Sequence, residues 1–248
     1  MIRVVDLQKR FGRQHVLKGV NLDIEAGKIT TIIGGSGSGK TVLLKHLNAL
    51  LLPDRGSVLV DDRDITRLGQ TALNQVRRKF GVLFQGAALL DSMTIYDNVA
   101  FPLREIARLK ETEVEKKVNE GLAQVGLAGA GYKFPAEVSG GMKKRAGLAR
   151  ALVVQPEIML FDEPTTGLDP LLGKSIHQLI RQMHAAYKFT GVIVSHDIPE
   201  VFEISDRIAM LADGVIIEVG TTEEFLASEN PMVRQFVHGD TEGPIAVL

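Results

Sequence analysis

Eight consecutive residues constrain this chain more than any others: Gly34-Gly35-Ser36-Gly37-Ser38-Gly39-Lys40-Thr41, a complete P-loop. A triphosphate carries several negative charges and many acceptor oxygens. Glycines let successive backbone N–H groups turn inward without Cβ clashes. The helix starting near Gly39 adds the positive end of its dipole. Lys40 sets a point charge on the outer phosphates, and the Thr41 hydroxyl is suited to ligate Mg²⁺. Before the loop, Ile29 to Ile33 is a short β-branched run bounded by Gly27 and Gly34, the pattern of a buried strand. After it, Val42, Leu43, Leu44, Leu47, Leu50 and Leu51 recur at helical spacing and predict a helix over 41–51. A strand before and an apolar helix after argue against a merely flexible Gly/Ser loop.

The flanking segments suggest where that unit sits. Residues 2–8 and 20–24 alternate loosely and predict a peripheral antiparallel sheet. Pro53 to Gly56 reads as a turn, with a strand over 57–60. Residues 80–85, 158–161 and 191–194 read as short apolar strands, the last two each followed by a helix. Strands alternating with helices imply a parallel sheet covered on both faces. From about 94 to 152 the pattern is helical, with i, i+4 charge pairs over 111–125, and we read this stretch as a lobe inserted into an α/β core. Asp213-Gly214 between residues 208–211 and 215–219 is a hairpin turn. The segment 228–248 reads as an appendix punctuated by Pro231, Gly239, Gly243 and Pro244.

Composition narrows the function. The 248 residues are 45% hydrophobic, which suits one domain with a sizeable core, or one carrying a small inserted lobe. Lys and Arg number 29 against 30 Asp and Glu. This balance lacks the basic excess that marks nucleic-acid partners, so none is expected. The chain has no cysteine, which excludes disulfides and zinc-thiolate sites. No signal peptide is legible at the start, and no uncharged apolar run approaches the ~18 residues a bilayer span needs. Any membrane-spanning part is expected on another chain.

Further candidates lie past predicted strand ends, where ligands of open α/β sheets bind. Asp162-Glu163 follows residues 158–161: Asp162 would hold Mg²⁺ through water, and Glu163 would polarise an attacking water. Gln85, past residues 80–84, is a second candidate for sensing Mg²⁺ or that water. His196, past residues 191–195, is a candidate for reaching the γ-phosphate. Taken alone, Gln85 reads equally as a surface residue and His196 as a structural histidine. Ser139-Gly140-Gly141 opens a helix from Met142 to about Val153, with Ser139 as a plausible N-cap and two glycines that permit close approach to an anion. The P-loop already fills the phosphate role, so a second anion-binding helix tip needs a second nucleotide to face.

The ordered set of P-loop, Gln85, Ser139-Gly140-Gly141, Asp162-Glu163, Gly167-Leu168-Asp169 and His196 resembles the ATP-binding subunit of ABC transporters, from about residue 2 to 220. The resemblance implies a P-loop NTPase core with a mostly parallel sheet, a peripheral antiparallel β-subdomain and an inserted α-helical subdomain of about 94–155. All of these would form one ABC ATP-binding domain over 1–248, with a C-terminal extension of about 228–248. It implies ATP and Mg²⁺ as cofactors, with Thr41, Gln85 and Asp162 around the metal. It implies a homodimer in which each ATP lies between one P-loop and the partner's Ser139, Gly140 and Gly141. Phe11 matches the aromatic, usually tyrosine, that stacks on adenine, and Asp169 matches the residue that crosses the dimer seam. Two positions depart from the family pattern: Met142 replaces a common Gln, and Val42 a common hydroxyl residue. The missing hydroxyl removes a phosphate contact of ~1–3 kcal/mol, which predicts weaker affinity with function retained.

Residues 83–90, 98–105, 139–145, 233–239 and 242–244 look like the ATPase of bacterial Mla/MCE-type lipid transporters. That branch implies transmembrane permease subunits, an MCE-domain lipid-binding protein, a possible small regulatory subunit, and a peripheral position on the cytoplasmic side of the inner membrane. Arg234, Phe236 and Pro244 are candidates for a tail that reaches the neighbouring subunit. Rival readings are an importer of amino acids or ions and a soluble cassette ATPase. Against the latter, the interval from Lys40 to Asp162 carries no sustained heptads and the chain holds one P-loop.

Overall fold

The computed structural model describes residues 1–245. In chain order the strands are β1 (Ile2–Phe11), β2 (Gln14–Ile24), β3 (Ile29–Ile33), β4 (Arg55–Val60), β5 (Arg63–Asp64), β6 (Phe80–Leu83), β7 (Ile158–Asp162), β8 (Thr190–Val194), β9 (Arg207–Ala212) and β10 (Val215–Gly220). The α-helices are α1 (Lys40–Leu47), α2 (Gln70–Arg77), α3 (Ile95–Pro102), α4 (Glu111–Gln124), α5 (Gly140–Leu152), α6 (Pro170–Tyr187), α7 (Thr222–Leu226) and α8 (Pro231–His238). The chain divides into two compact units, Met1–Arg77 together with Thr190 onward, and Arg78–Phe189.

In the first unit β2, β1, β4 and β5 form an antiparallel sheet in that order. Strands β10, β9, β3 and β8 lie side by side, with β9–β3 and β3–β8 parallel and β10–β9 antiparallel. All five residues of β3 and all five of β8 are buried, so these strands show β-branched runs and no alternation of buried with exposed residues. The β9–β10 connection carries positive φ at both Asp213 (48°) and Gly214 (80°), the backbone of a type I′ hairpin. Strands β1 and β2 run further than the sequence pattern suggests, to the tight turn at Gly12-Arg13.

In the second unit β6 and β7 pair in parallel, Phe80 with Ile158 through Leu83 with Phe161. The hydroxyl of Thr94 caps α3 by accepting from Asp97 N. Buried Asn98 ties the loop before α3 to the helix: it accepts from Leu90 N at 2.7 Å and donates to the carbonyls of Leu90, Met93 and Thr94. A π-helical turn over Leu103–Ala107 follows α3. Val114, Val118 and Leu122 form the buried stripe of α4, each stabilising by about 1.5–3 kcal/mol. Helix α5 packs closely on β6 and the turn after it. A Cβ on Gly147 would lie 2.9 Å from Leu83 Cδ1 and 3.1 Å from Ala87 Cβ, and one on Gly81 would lie 2.8 Å from Ala151 O.

Several expectations are corrected. The helix after the P-loop ends at Leu47, not Leu51, because Asn48 turns its side chain back to accept from Leu50 N and Ala49 adopts φ 53°. The strand over 80–85 ends at Leu83, and Gln85 lies in the turn closed by Ala87 N to Phe84 O. The helix expected after β8 is a short 3-10 helix, Glu200–Ile204. Helix α2 was not foreseen: its helical stripe is short, with only Leu73 and Val76 buried. The expected appendix contains α8, which starts at the Asn230 cap with Pro231 in its first turn and stops at Gly239 with φ 71°. Residues 246–248 of that expected extension lie outside the described residues.

Candidate nucleotide site

The P-loop leaves the end of β3, and His196 follows the end of the adjacent parallel strand β8, where Ile32 pairs with Val194. Gly34 has φ 153°, and a Cβ there would lie 2.2 Å from Leu211 O. The loop is thus laid directly on β9 with no space for a side chain. Lys40 is 6% exposed, and its Nζ donates to the carbonyls of Gly34 at 2.8 Å and Gly35 at 2.9 Å. Ser36 and Gly37 are exposed, and Thr41 and Val42 are half-buried. Gly39 caps α1 in a left-handed conformation. The Oγ of Ser38 is buried with no hydrogen-bond partner. Leaving a buried hydroxyl unsatisfied costs about 1–3 kcal/mol, so the loop fits an acceptor-rich anion. Residues 35–38, the β9–β10 turn and Pro244 with Ile245 line a cavity of about 420 Å³.

His46, fully buried in α1, gives Nδ1 to the Val42 carbonyl at 2.7 Å. Burial pushes its pKa below the usual histidine range. His196 is 51% exposed, with Nε2 3.8 Å from Asp197 Oδ1. Phe11 ends β1, is 46% exposed, and has the Lys9 ammonium 5.6 Å over its ring.

The second unit holds the remaining candidates. Asp162 is the buried last residue of β7. Glu163 follows in a left-handed conformation, φ 47°, and its carboxylate accepts from Thr166 Oγ1 at 2.7 Å. Gln85 lies just past the end of the parallel neighbour β6. Ser139 caps α5, accepting from Met142 N at 3.3 Å, and Ser139 and Gly140 are exposed while Gly141 is buried. Asp169 caps α6, with Oδ1 accepting from Leu171 N at 3.1 Å and Leu172 N at 3.0 Å. Leu171, beside it, is 84% exposed.

Three cations and one hydroxyl, to which the motifs gave no role, organise this unit. Lys144 donates to the carbonyls of Gln85 and Glu163. Arg150 donates to the carbonyls of Ala87 and Ala88, both at 2.6 Å, and burial lowers its pKa. Arg145 reaches Val125 O and Ser175 Oγ, and Thr166 holds Glu163. For the three cations the available signal was their position on α5, just behind Ser139-Gly140-Gly141. Among the described residues no group of three or more His, Cys, Asp or Glu side chains is assembled, and no helix is long and apolar enough to cross a membrane.

The ABC transporter family model matches residues 17–166. The chain belongs to the ABC transporter family. It is 46% identical to the probable ribonucleotide transport ATP-binding protein mkl of Mycobacterium leprae, over 99% of this chain and 71% of that protein. It is 42% identical to the intermembrane phospholipid transport system ATP-binding protein MlaF of Haemophilus influenzae, over 99% of this chain and 93% of that protein. Among solved structures, the ATP-binding cassette MJ0796, in a dimeric post-hydrolysis state bound to ADP and Pi, superposes with a TM-score of 0.81. That match has 32% identity and covers 89% of this chain and 98% of that one. This chain is accordingly an ABC ATPase with a P-loop α/β core.

Proposed function

We propose that this chain is the ATP-hydrolysing subunit of a transporter that moves phospholipid between the inner and outer bacterial membranes. The observation that carries the substrate is the likeness to MlaF, which extends over 99% of this chain and 93% of that protein. It acts as a homodimer at the cytoplasmic face of the inner membrane, with permease subunits and an MCE-domain lipid-binding protein. The dimeric MJ0796 cassette supports the pairing.

In this reading Lys40 releases the Gly34 and Gly35 carbonyls and turns its ammonium onto the outer phosphates, while the amides of residues 35–41 and the Ser38 hydroxyl donate to their oxygens. Phe11 offers a ring face to adenine. Ser139, Gly140 and Gly141 donate to the nucleotide of the partner subunit, and Asp169 lies at the seam. Thr41, Asp162 and Gln85 would hold Mg²⁺, which would neutralise phosphate charge. Glu163 accepts a proton from the attacking water, and His196 orients the terminal phosphate. Closure and reopening of the pair then move the permease. The segment around Arg234, Phe236 and Pro244 reaches the neighbouring subunit.

A second reading, ribonucleotide transport, draws on the higher identity to mkl. The two separate when the complex is drawn from native membranes through a tag on this chain and its small molecules are extracted. Bound phospholipid with an MCE-domain protein supports the proposal. Bound ribonucleotide other than ATP or ADP, or a periplasmic solute-binding protein, overturns it in favour of an importer.

A further inference from the structure

Ammonium groups are seldom buried unless a set of partners holds them, yet Lys144 is only 5% exposed in the middle of α5. Its Nζ donates to backbone carbonyls in two separate loops, Gln85 just past β6 and Glu163 just past β7, the latter at 3.2 Å. Both loops are held out of regular conformation. Glu163 has φ 47° and Ala87 and Ala88 have φ 60° and 47°, values that non-glycine residues keep only where the surroundings over-determine them. For Glu163 those surroundings are visible. Lys144 holds its main chain and Thr166 Oγ1 holds its carboxylate. A lysine presents three donors on a flexible stem, so one side chain serves both carbonyls at once.

We propose that Lys144 is a positioning residue for hydrolysis: its ammonium pins the backbones of Gln85 and Glu163 to α5, so that their side chains meet the reacting water at a fixed separation. The inference rests on the reading of Glu163 as the general base. It assigns Lys144 no contact with nucleotide, so binding and turnover respond differently to its loss. Removing the ammonium frees the Glu163 main chain to relax, and the carboxylate then samples positions in which proton transfer does not occur.

The full-length protein carrying Lys144→Met, which keeps the length and removes every donor, is compared with Lys144→Gln, which keeps an N–H₂, and with Glu163→Gln. ATP affinity is measured by calorimetry, kcat by phosphate release, and Tm alongside. Lys144→Met is expected to bind ATP within about twofold of the parent while kcat falls about 10- to 100-fold, and Lys144→Gln is expected to recover part of the loss. Parental kcat in Lys144→Met, beside a dead Glu163→Gln, overturns the role of Lys144 and leaves the reading of Glu163 standing. Parental turnover in Glu163→Gln removes that reading and the inference with it. A fall of affinity, rate and Tm together, with no recovery in Lys144→Gln, marks a purely structural lysine and also overturns the proposal. Should Lys144→Met fail to fold, Lys144→Gln decides: a several-fold loss of kcat at parental affinity supports the role, and parental kcat overturns it.

Discussion

The loop after β3 and the loops after β6 and β7 occupy the same kind of place, the C-terminal end of a parallel strand, but they are secured in opposite ways. The P-loop secures itself. Its first two carbonyls accept from Lys40, five and six residues further along the same segment, and Ser38 N donates to Gly35 O. The loops bearing Gln85 and Glu163 are secured from afar. Lys144 and Arg150 reach carbonyls 19 to 63 residues away. A self-secured loop keeps its shape wherever its own residues are intact. A loop secured by a helix keeps its shape only while that helix is in place, and this suits a segment that answers to events elsewhere.

That contrast can be broken at four points. The largest effect is expected at Glu163→Gln, which should leave ATP affinity intact and cut turnover by about 10²–10⁴-fold; phosphate release at the parental rate would remove Glu163 from the chemistry. Next, Lys40→Ala should abolish measurable ATP binding by calorimetry while leaving Tm close to the parent, since the P-loop loses one tether but keeps its glycine backbone. Unchanged affinity would show that the ammonium of Lys40 stays on the Gly34 and Gly35 carbonyls when nucleotide arrives. Gly147→Val, on the face of α5 that meets Leu83 and Ala87, should destabilise by about 1–3 kcal/mol through overpacking. It should also slow turnover more than it weakens ATP binding, the reverse of Lys40→Ala. Smallest is Val42→Thr, which should tighten ATP binding by roughly five- to tenfold, the lower part of the ~1–3 kcal/mol range for such a contact; weaker binding would mean that the half-buried methyl packs better than the hydroxyl bonds.

The same contrast explains what could be read in advance. The P-loop is legible because its physics is local: glycines where backbone must approach an anion, one lysine and one threonine beside them. The parallel strands were legible for a similar reason, since β3 and β8 are buried on both faces and show as short β-branched runs without alternation. The cap at Ser139 and the hairpin at Asp213-Gly214 were equally local. Lys144, Arg150 and Thr166 escaped because a lysine or arginine on a helix gives no sign of whether it snorkels to water or turns inward to a carbonyl. That choice is made by residues dozens of positions away. Helix α2 escaped because one turn of buried Leu73 and Val76 is too short a stripe to stand out. The premature end of α1 was set by the Asn48 side chain competing for Leu50 N, a signal present in the sequence and outweighed by the leucines that follow.

The glycine contacts between α5 and β6 have a mechanical result. Gly147 leaves room for the Leu83 side chain and Ala87 to lie directly against the helix backbone, and Gly81 leaves room for the Ala151 carbonyl, so helix and strand have little freedom to slip past one another. The two therefore behave as a single stiff plank. On that footing, movement at the exposed tip around Ser139 is expected to reach the turn at Gln85 with little loss.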